Sequence, residues 1–233
     1  MGCSLRHAIF HGAMNHRITT SDFGVMVRAA ASCIANMQAE LSALDSVAGD
    51  GDHGTTMMRA VAQLERATSL ATCKDFPTVF KEAGWAVLGI DGGASSLLLG
   101  SFFLGMADAE IRGESLDCRE FALAFECGLK AVCGQTRARP GDKTMVDALM
   151  PAVEAFSRAA VDGKCIGDAL EDAARAARQG AESTRNLVAR FGRAKLLGQK
   201  TLGFNDPGAT SAALLLQGFC VGLAELKGQK NHA

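Results

Sequence analysis

Ser21-Asp-Phe-Gly-Val-Met-Val-Arg-Ala-Ala-Ala-Ser-Cys-Ile-Ala-Asn-Met-Gln-Ala-Glu-Leu-Ser-Ala-Leu44 gathers its large apolar side chains on one stripe. Phe23, Met26, Val27, Ala30, Ile34, Met37, Leu41 and Leu44 recur at steps of three and four residues, the spacing of a long amphipathic α-helix. Ser21 or Asp22 offers a cap for its start. The same pattern repeats downstream. Helices are predicted from Thr55 to about residue 70, from Asp75 to about residue 88, and from Gly92-Gly93 through residues 97–107, the last apolar almost all round and therefore central.

Asp117-x-x-Glu120 reads as a capping box opening a fifth helix. Asp142 or Lys143 begins a sixth, in which Met150-Pro151 predicts a kink. Asp168-x-x-Glu171 begins a seventh that reaches about residue 190. Asp206-Pro207 places a cap before a proline at the first helical position, which starts a last helix to about residue 226. Strand signals are nearly absent. About eight helices on short links favour antiparallel neighbours, hence an all-α up-and-down bundle. One connection is longer: residues 191–205 contain Gly192, Gly198 and Gly203 with Arg193, Lys195 and Lys200, and no acid before Asp206. A basic, glycine-punctuated loop of that length suits either an anion-binding cover or a solvated surface loop.

The chain has 233 residues, 48% of them hydrophobic, enough for one large domain spanning 1–233, with residues 1–19 read as an N-terminal arm. A net charge of −1 gives no nucleic-acid footprint, and one Trp with no Tyr leaves no platform for stacking bases. The eight cysteines are dispersed and contain no Cys-x-x-Cys pair, so they read as free thiols of a reducing compartment. No leader-like apolar run opens the chain, and the apolar run at 97–107 is too short to span a bilayer. A cytoplasmic protein with no membrane and no nucleic-acid partner is expected.

Between the first two helices stands Asp45-Ser-Val-Ala-Gly-Asp50-Gly-Asp52-His53-Gly54-Thr55-Thr56. At an effective dielectric of ~20 and ~5 Å separation, each like-charged pair of carboxylates costs roughly 3 kcal/mol. A turn that gathers three of them calls for a cation, or a cation with phosphate. Gly49 and Gly51 allow the tight turn, and the helix start that follows can receive an anion on its backbone amides. Carboxylates for a hard cation beside a helix N-terminus suit a magnesium–nucleotide site. An EF-hand does not fit, since the twelfth position counted from Asp50 is Val61 and not Glu. Zinc does not fit either: His53 is the only histidine in the body of the fold, with His7, His11 and His16 on the arm and His232 at the end.

Three further stretches repeat the theme at helix starts: Gly89-Ile-Asp-Gly-Gly-Ala-Ser-Ser96, Gly141-Asp-Lys-Thr-Met145 and Asp206-Pro-Gly-Ala-Thr-Ser211. Each alone is explained by capping or close packing, and Lys143 by an ordinary cap-region lysine. Together they predict one bundle end built for a polyanion.

In this order and spacing the motifs closely resemble the nucleotide-binding L subunit of dihydroxyacetone kinases, from about residue 20 to 226, including Gly192-Arg193-Ala194 and Leu197-Gly198. The resemblance implies an eight-helix antiparallel barrel with nucleotide at one end. It implies metal binding by Asp45, Asp50 and Asp52, which would hold two Mg2+ ions against ADP or ATP. Nucleotide contacts would fall on His53, Gly54, Thr55, Thr56, Ala94, Ser95, Gly141, Met150, Arg193, Asp206, Pro207 and Gly208. Thr56 stands where many members have Asn, and Ser96 where Gly is common.

The resemblance further implies a partner. The family's ketose-holding histidine belongs to a separate K subunit or domain, so this chain supplies the nucleotide half of a phosphotransferase with an alcohol group as acceptor. The donor is either a phosphocarrier protein of the sugar phosphotransferase system, favoured by the chain being separate, or freely exchanging ATP, as in two-chain kinases of three- or four-carbon ketoses. A homodimer remains open. Two other classes compete: a metal-dependent phosphohydrolase, whose one clear general base would be His53, and a nucleotide-sensing subunit that binds a transcription factor.

Overall fold

Eight passes of helix, each leaning on the next, account for the architecture in the computed structural model, which describes residues 17–69 and 75–230. Among the described residues the helices are α1 (Thr20–Asn36), α2 (Gln38–Ser46), α3 (His53–Ser69), α4 (Phe76–Leu88), α5 (Gly93–Ala107), α6 (Cys118–Gln135), α7 (Val146–Val161), α8 (Ile166–Ser183) and α9 (Pro207–Lys230). α1 packs on α3, α3 on α4, and so on through α8 on α9, and α9 closes the ring against α1. The short α2 sits outside that ring, on α3 and α9. The expected all-α, eight-helix up-and-down barrel is thus present. Of the expected arm, only residues 17–19 are described. His7, His11, His16, His232, Cys3 and Cys73 lie outside the described residues.

Several boundaries differ from the sequence reading. The stripe from Phe23 to Leu44 is two helices, interrupted at Met37, whose φ of −110° and ψ of 6° leave helical geometry for one residue. The first cap is neither Ser21 nor Asp22 but Thr19, whose hydroxyl accepts the Asp22 amide while the Asp22 carboxylate accepts the Thr19 amide. This start is fixed by a two-residue antiparallel pairing of β1 (Ile18–Thr19) with β2 (Ser115–Leu116). Arg17 extends the tie, with 2.6 Å to the Glu120 carboxylate and 2.8 Å to the Ser115 carbonyl. The capping box at Asp117 and Glu120 and the cap at Asp75 stand as read.

The barrel interior is filled with rings. Nine of the eleven phenylalanines among the described residues are fully buried, and Phe23 alone stacks edge-on or tilted against Phe76, Phe80, Phe121 and Phe219. Phe121, Phe125, Phe156 and Phe102 continue the chain of contacts across α5, α6 and α7. Burying each ring contributes roughly 1.5–3 kcal/mol, so the solid centre dominates stability. Where α9 meets α1 the backbones approach closely: a Cβ on Gly218 would overlap Ala30, and one on Gly222 would overlap Met26. α9 contains Pro207–Gly228, a stretch long and apolar enough by length and composition to cross a bilayer. It is longer than the 97–107 run, and 56% of its apolar window is buried, chiefly against α1 and α8.

Candidate nucleotide and metal site

All the links at one end of the barrel converge on a cleft of about 530 Å³. Its walls come from the C-terminal ends of α2 and α6, the loop after α4, the N-terminal ends of α3, α5 and α9, the residues just before α7, and Phe191, Gly192, Arg193 and Ala194. Alternation of ends at one mouth is the signature of antiparallel passes.

Asp45, in the last turn of α2, joins Asp50 and Asp52 so that one carboxylate oxygen from each lies within 4.8 Å of the others. The local fold explains the convergence. Asp45 Oδ2 accepts the backbone amides of Asp52 at 3.1 Å and His53 at 3.3 Å, so it caps the start of α3 from across the loop. A Cβ on Gly49 would overlap Asp45 Oδ1, and Gly51 turns the chain through φ +77°. Arg193 forms an ion pair with Asp50, and that hydrogen bond holds the Asp50 carboxyl below its ordinary range. Asp52 shifts upward through burial and the charges of Asp50 and Asp45. The donor set, three hard carboxylate oxygens crowded with a single guanidinium to offset them, fits a magnesium ion.

His53 is 5% exposed and its ring ties three helix starts together. Nε2 lies 3.0 Å from Ser211 Oγ on α9, and Nδ1 lies 3.2 Å from Ser95 Oγ on α5. Ser211 Oγ donates onward to the Gly208 carbonyl at 3.0 Å, which assigns the ring proton to Nε2 and leaves Nδ1 to accept from Ser95. Burial lowers the His53 pKa, against the field of Asp45 and a bond to the Pro207 backbone.

The helix starts are not equivalent as anion sites. α3 is served by Asp45, and α9 by Asp206, whose Oδ2 accepts the Ala209 amide at 2.7 Å. Before α7, Asp147 accepts the amides of Gly141 and Thr144 at 2.6 and 2.7 Å. The cap residue of α5, Gly92, makes no side-chain cap bond, and Gly92, Gly93, Ala94 and Ser95 all face the cleft. That start keeps its amides for a ligand.

Of the residues expected in the site, Asp45, Asp50, Asp52, His53, Thr56, Ala94, Ser95, Arg193, Asp206, Pro207 and Gly208 line the cleft. Four do not. Gly54 is buried where α3 crosses the Gln38 carbonyl, Thr55 is exposed, Gly141 turns at φ +96°, and Met150 packs against the core. Sequence reasoning passed over Leu44, Ala48, Leu98, Met145 and Phe191, an apolar wall assembled from four separate segments. It also gave no role to Ser211, one helical turn after Pro207. A second groove, about 460 Å³ between α6 and α7, is lined by Glu126, Lys130 and Val153 among others and gathers no such chemistry.

A model of the DAK2 domain matches residues 47–221. The chain belongs to the DAK2 domain family. It is 37% identical over 177 residues to the "PEP-dependent dihydroxyacetone kinase, ADP-binding subunit DhaL" of Escherichia coli (strain K12), covering 76% of this chain and 84% of that one. It is 38% identical over 186 residues to an L-erythrulose 1-kinase of Mycolicibacterium smegmatis, covering 78% of this chain but only 32% of the longer relative. Among solved structures, this DAK2 domain matches the dihydroxyacetone kinase of C. freundii in complex with AMP-PNP and Mg2+. The TM-score there is 0.67 at 23% identity, over 95% of this chain and 37% of that one, a likeness of fold.

Proposed function

We propose that this DAK2 domain is the nucleotide-binding part of a small-ketose kinase, and that Asp45, Asp50 and Asp52 hold magnesium against the phosphates of ADP or ATP. The observation that carries the proposal is the opposition of three converging carboxylates to the uncapped start of α5, with Arg193 beside them. The magnesium, two ions in this reading, would neutralise phosphate charge and polarise the group in transfer. The chain's own part is positioning. Amides at Gly93, Ala94 and Ser95 receive phosphate oxygens, Arg193 adds a guanidinium, and the wall of Leu44, Leu98, Met145 and Phe191 accepts the base and excludes water.

His53 acts as a tie and not as a base, because both ring nitrogens already have hydroxyl partners and the ring is buried. That removes the one general base which a phosphohydrolase reading requires. The proton of the acceptor hydroxyl is then taken outside this chain, in keeping with a separate ketose-binding K subunit. Dihydroxyacetone as acceptor, with a phosphocarrier of the phosphotransferase system as donor, follows the names of the ADP-binding subunits. Free ATP with a four-carbon ketose follows the erythrulose kinases. A cytoplasmic setting belongs to either version.

The test is titration of Mg-ADP and Mg-ATP into the wild type and into an Asp50→Asn, Asp52→Asn protein. Loss of binding in the variant is the expected outcome; unchanged affinity would overturn the assignment. Adding the K subunit with ATP alone, then with the phosphocarrier, separates the two donors by which mixture turns over.

A further inference from the structure

Lys143 combines two costly features at one position. It is the one non-glycine residue with positive φ among the described residues, at +62°, and its side chain is buried, with 6% of the residue exposed. Its ammonium donates 2.6 Å to the Thr184 carbonyl and 2.5 Å to the Phe204 carbonyl. Thr184 follows the last residue of α8, and Phe204 closes the basic segment before α9. One buried cation therefore holds both ends of the segment that carries Arg193.

Local bonds finish the clasp. The Gly203 amide donates to the Arg185 carbonyl at 2.8 Å, and the Asp206 amide to Thr184 Oγ1 at 2.8 Å. Inside the segment, Thr201 Oγ1 accepts the Ala189 amide at 3.0 Å and donates to the Gly198 carbonyl at 2.7 Å. Beyond these anchors, Arg190, Arg193, Lys195 and Lys200 are exposed. With both carbonyls on its Nζ, Lys143 is engaged by the chain itself, although it borders the cleft.

We infer that Lys143 is a positioning residue: its ammonium clasps the ends of the 184–204 segment and so fixes Arg193 over the cleft, setting nucleotide affinity through Arg193. This rests on the reading of the cleft as a magnesium–nucleotide site. Removing the clasp leaves the Thr184 carbonyl with only the Leu187 amide and takes the ammonium from the Phe204 carbonyl, so the two ends lose their common tether and the segment opens locally. Apparent affinity then falls by the fraction of molecules still closed.

The experiment compares wild type, Lys143→Met, Arg193→Gln and the double variant. Trypsin cleavage within residues 190–200 of the ligand-free protein is timed by mass spectrometry, and Mg-ADP affinity is measured by calorimetry. Lys143→Met should be cut about tenfold faster and bind Mg-ADP about tenfold more weakly, as a closed fraction of about one tenth requires. In the Arg193→Gln background the same substitution should still speed cleavage but change affinity less than about twofold. Unchanged cleavage, or a full additional loss of affinity without Arg193, would overturn the inference. If Lys143→Met does not fold, Lys143→Gln, which keeps N–H donors on a shorter, uncharged side chain, faces the same comparisons. If wild type binds no Mg-ADP, the site reading fails, and cleavage alone still judges the clasp.

Discussion

Nε2 of His53 lies 3.0 Å from Oγ of Ser211, a contact between the start of α3 and the first turn of α9 that is sealed from solvent. Ser211→Ala would leave a buried N–H without its acceptor. A loss of about 1–3 kcal/mol in stability is expected from such an orphaned donor, measurable by urea unfolding. Ser95→Ala should cost less, because it removes a longer contact at a half-buried rim.

Gly49 leaves room for the Asp45 carboxylate. Gly49→Ala should therefore push Oδ1 out of the triad while the barrel, built on other contacts, stays folded. Mg-ADP affinity is expected to drop by about tenfold or more, equivalent to ~1.4 kcal/mol, with the melting temperature within a few degrees of wild type. Equal affinity in calorimetry would show that Asp45 is not needed in that pose.

Asp206 introduces a pH dependence. Burial pushes its carboxyl up to about 7 from an ordinary 3.8, against the pull of the Ala209 amide. Between those values the folded chain holds a proton that the unfolded chain has released. The associated stability is complete below the unfolded value and is lost as pH rises through about 7, with a slope approaching ~1.4 kcal/mol per pH unit. Asp206→Asn keeps the cap on α9 and should flatten that slope in unfolding curves taken across this range. A wild type whose stability is level there would refute the shift.

The ring closes where α9 meets α1 at Gly218 and Ala30. Gly218→Ala forces a methyl into backbone and should cost about 1–3 kcal/mol by overpacking. Phe121→Ala, at the junction of the aromatic contacts, should cost about 3–5 kcal/mol. Thermal unfolding of the two variants would rank them.

Sequence reached the architecture because helix caps and apolar stripes are local. Asp75, Asp117 with Glu120, and Asp206-Pro207 declare their helix starts within a few residues. It missed what distant groups decide. Thr19 caps α1 because β1 pairs with a strand almost a hundred residues later. α8 stops at Ser183 and not near residue 190, because the next residue, Thr184, gives its carbonyl to Lys143 and its hydroxyl to the Asp206 amide. α7 begins at Val146 and not at Asp142 or Lys143, since the left-handed turn at Lys143 cannot be helical and Asp147 folds back on the preceding amides. The break at Met37 passed unseen because one non-helical residue hardly disturbs the phase of the stripe. In the site, the carboxylates were legible in twelve consecutive residues, while the apolar wall was not, being drawn from four places.

Closure of the eight-pass ring through α9 and α1 has a topological corollary. An even number of passes returns the polypeptide to the pole from which it set out. The entry into α1 and the exit from α9 therefore stand side by side at the pole opposite the cleft, with β1 and Arg17. Chain continuing from the start of α1 or the end of α9 sets out from the pole away from the mouth. The fold is in that sense a plug-in cartridge, serviceable as a separate chain or as a segment of something larger.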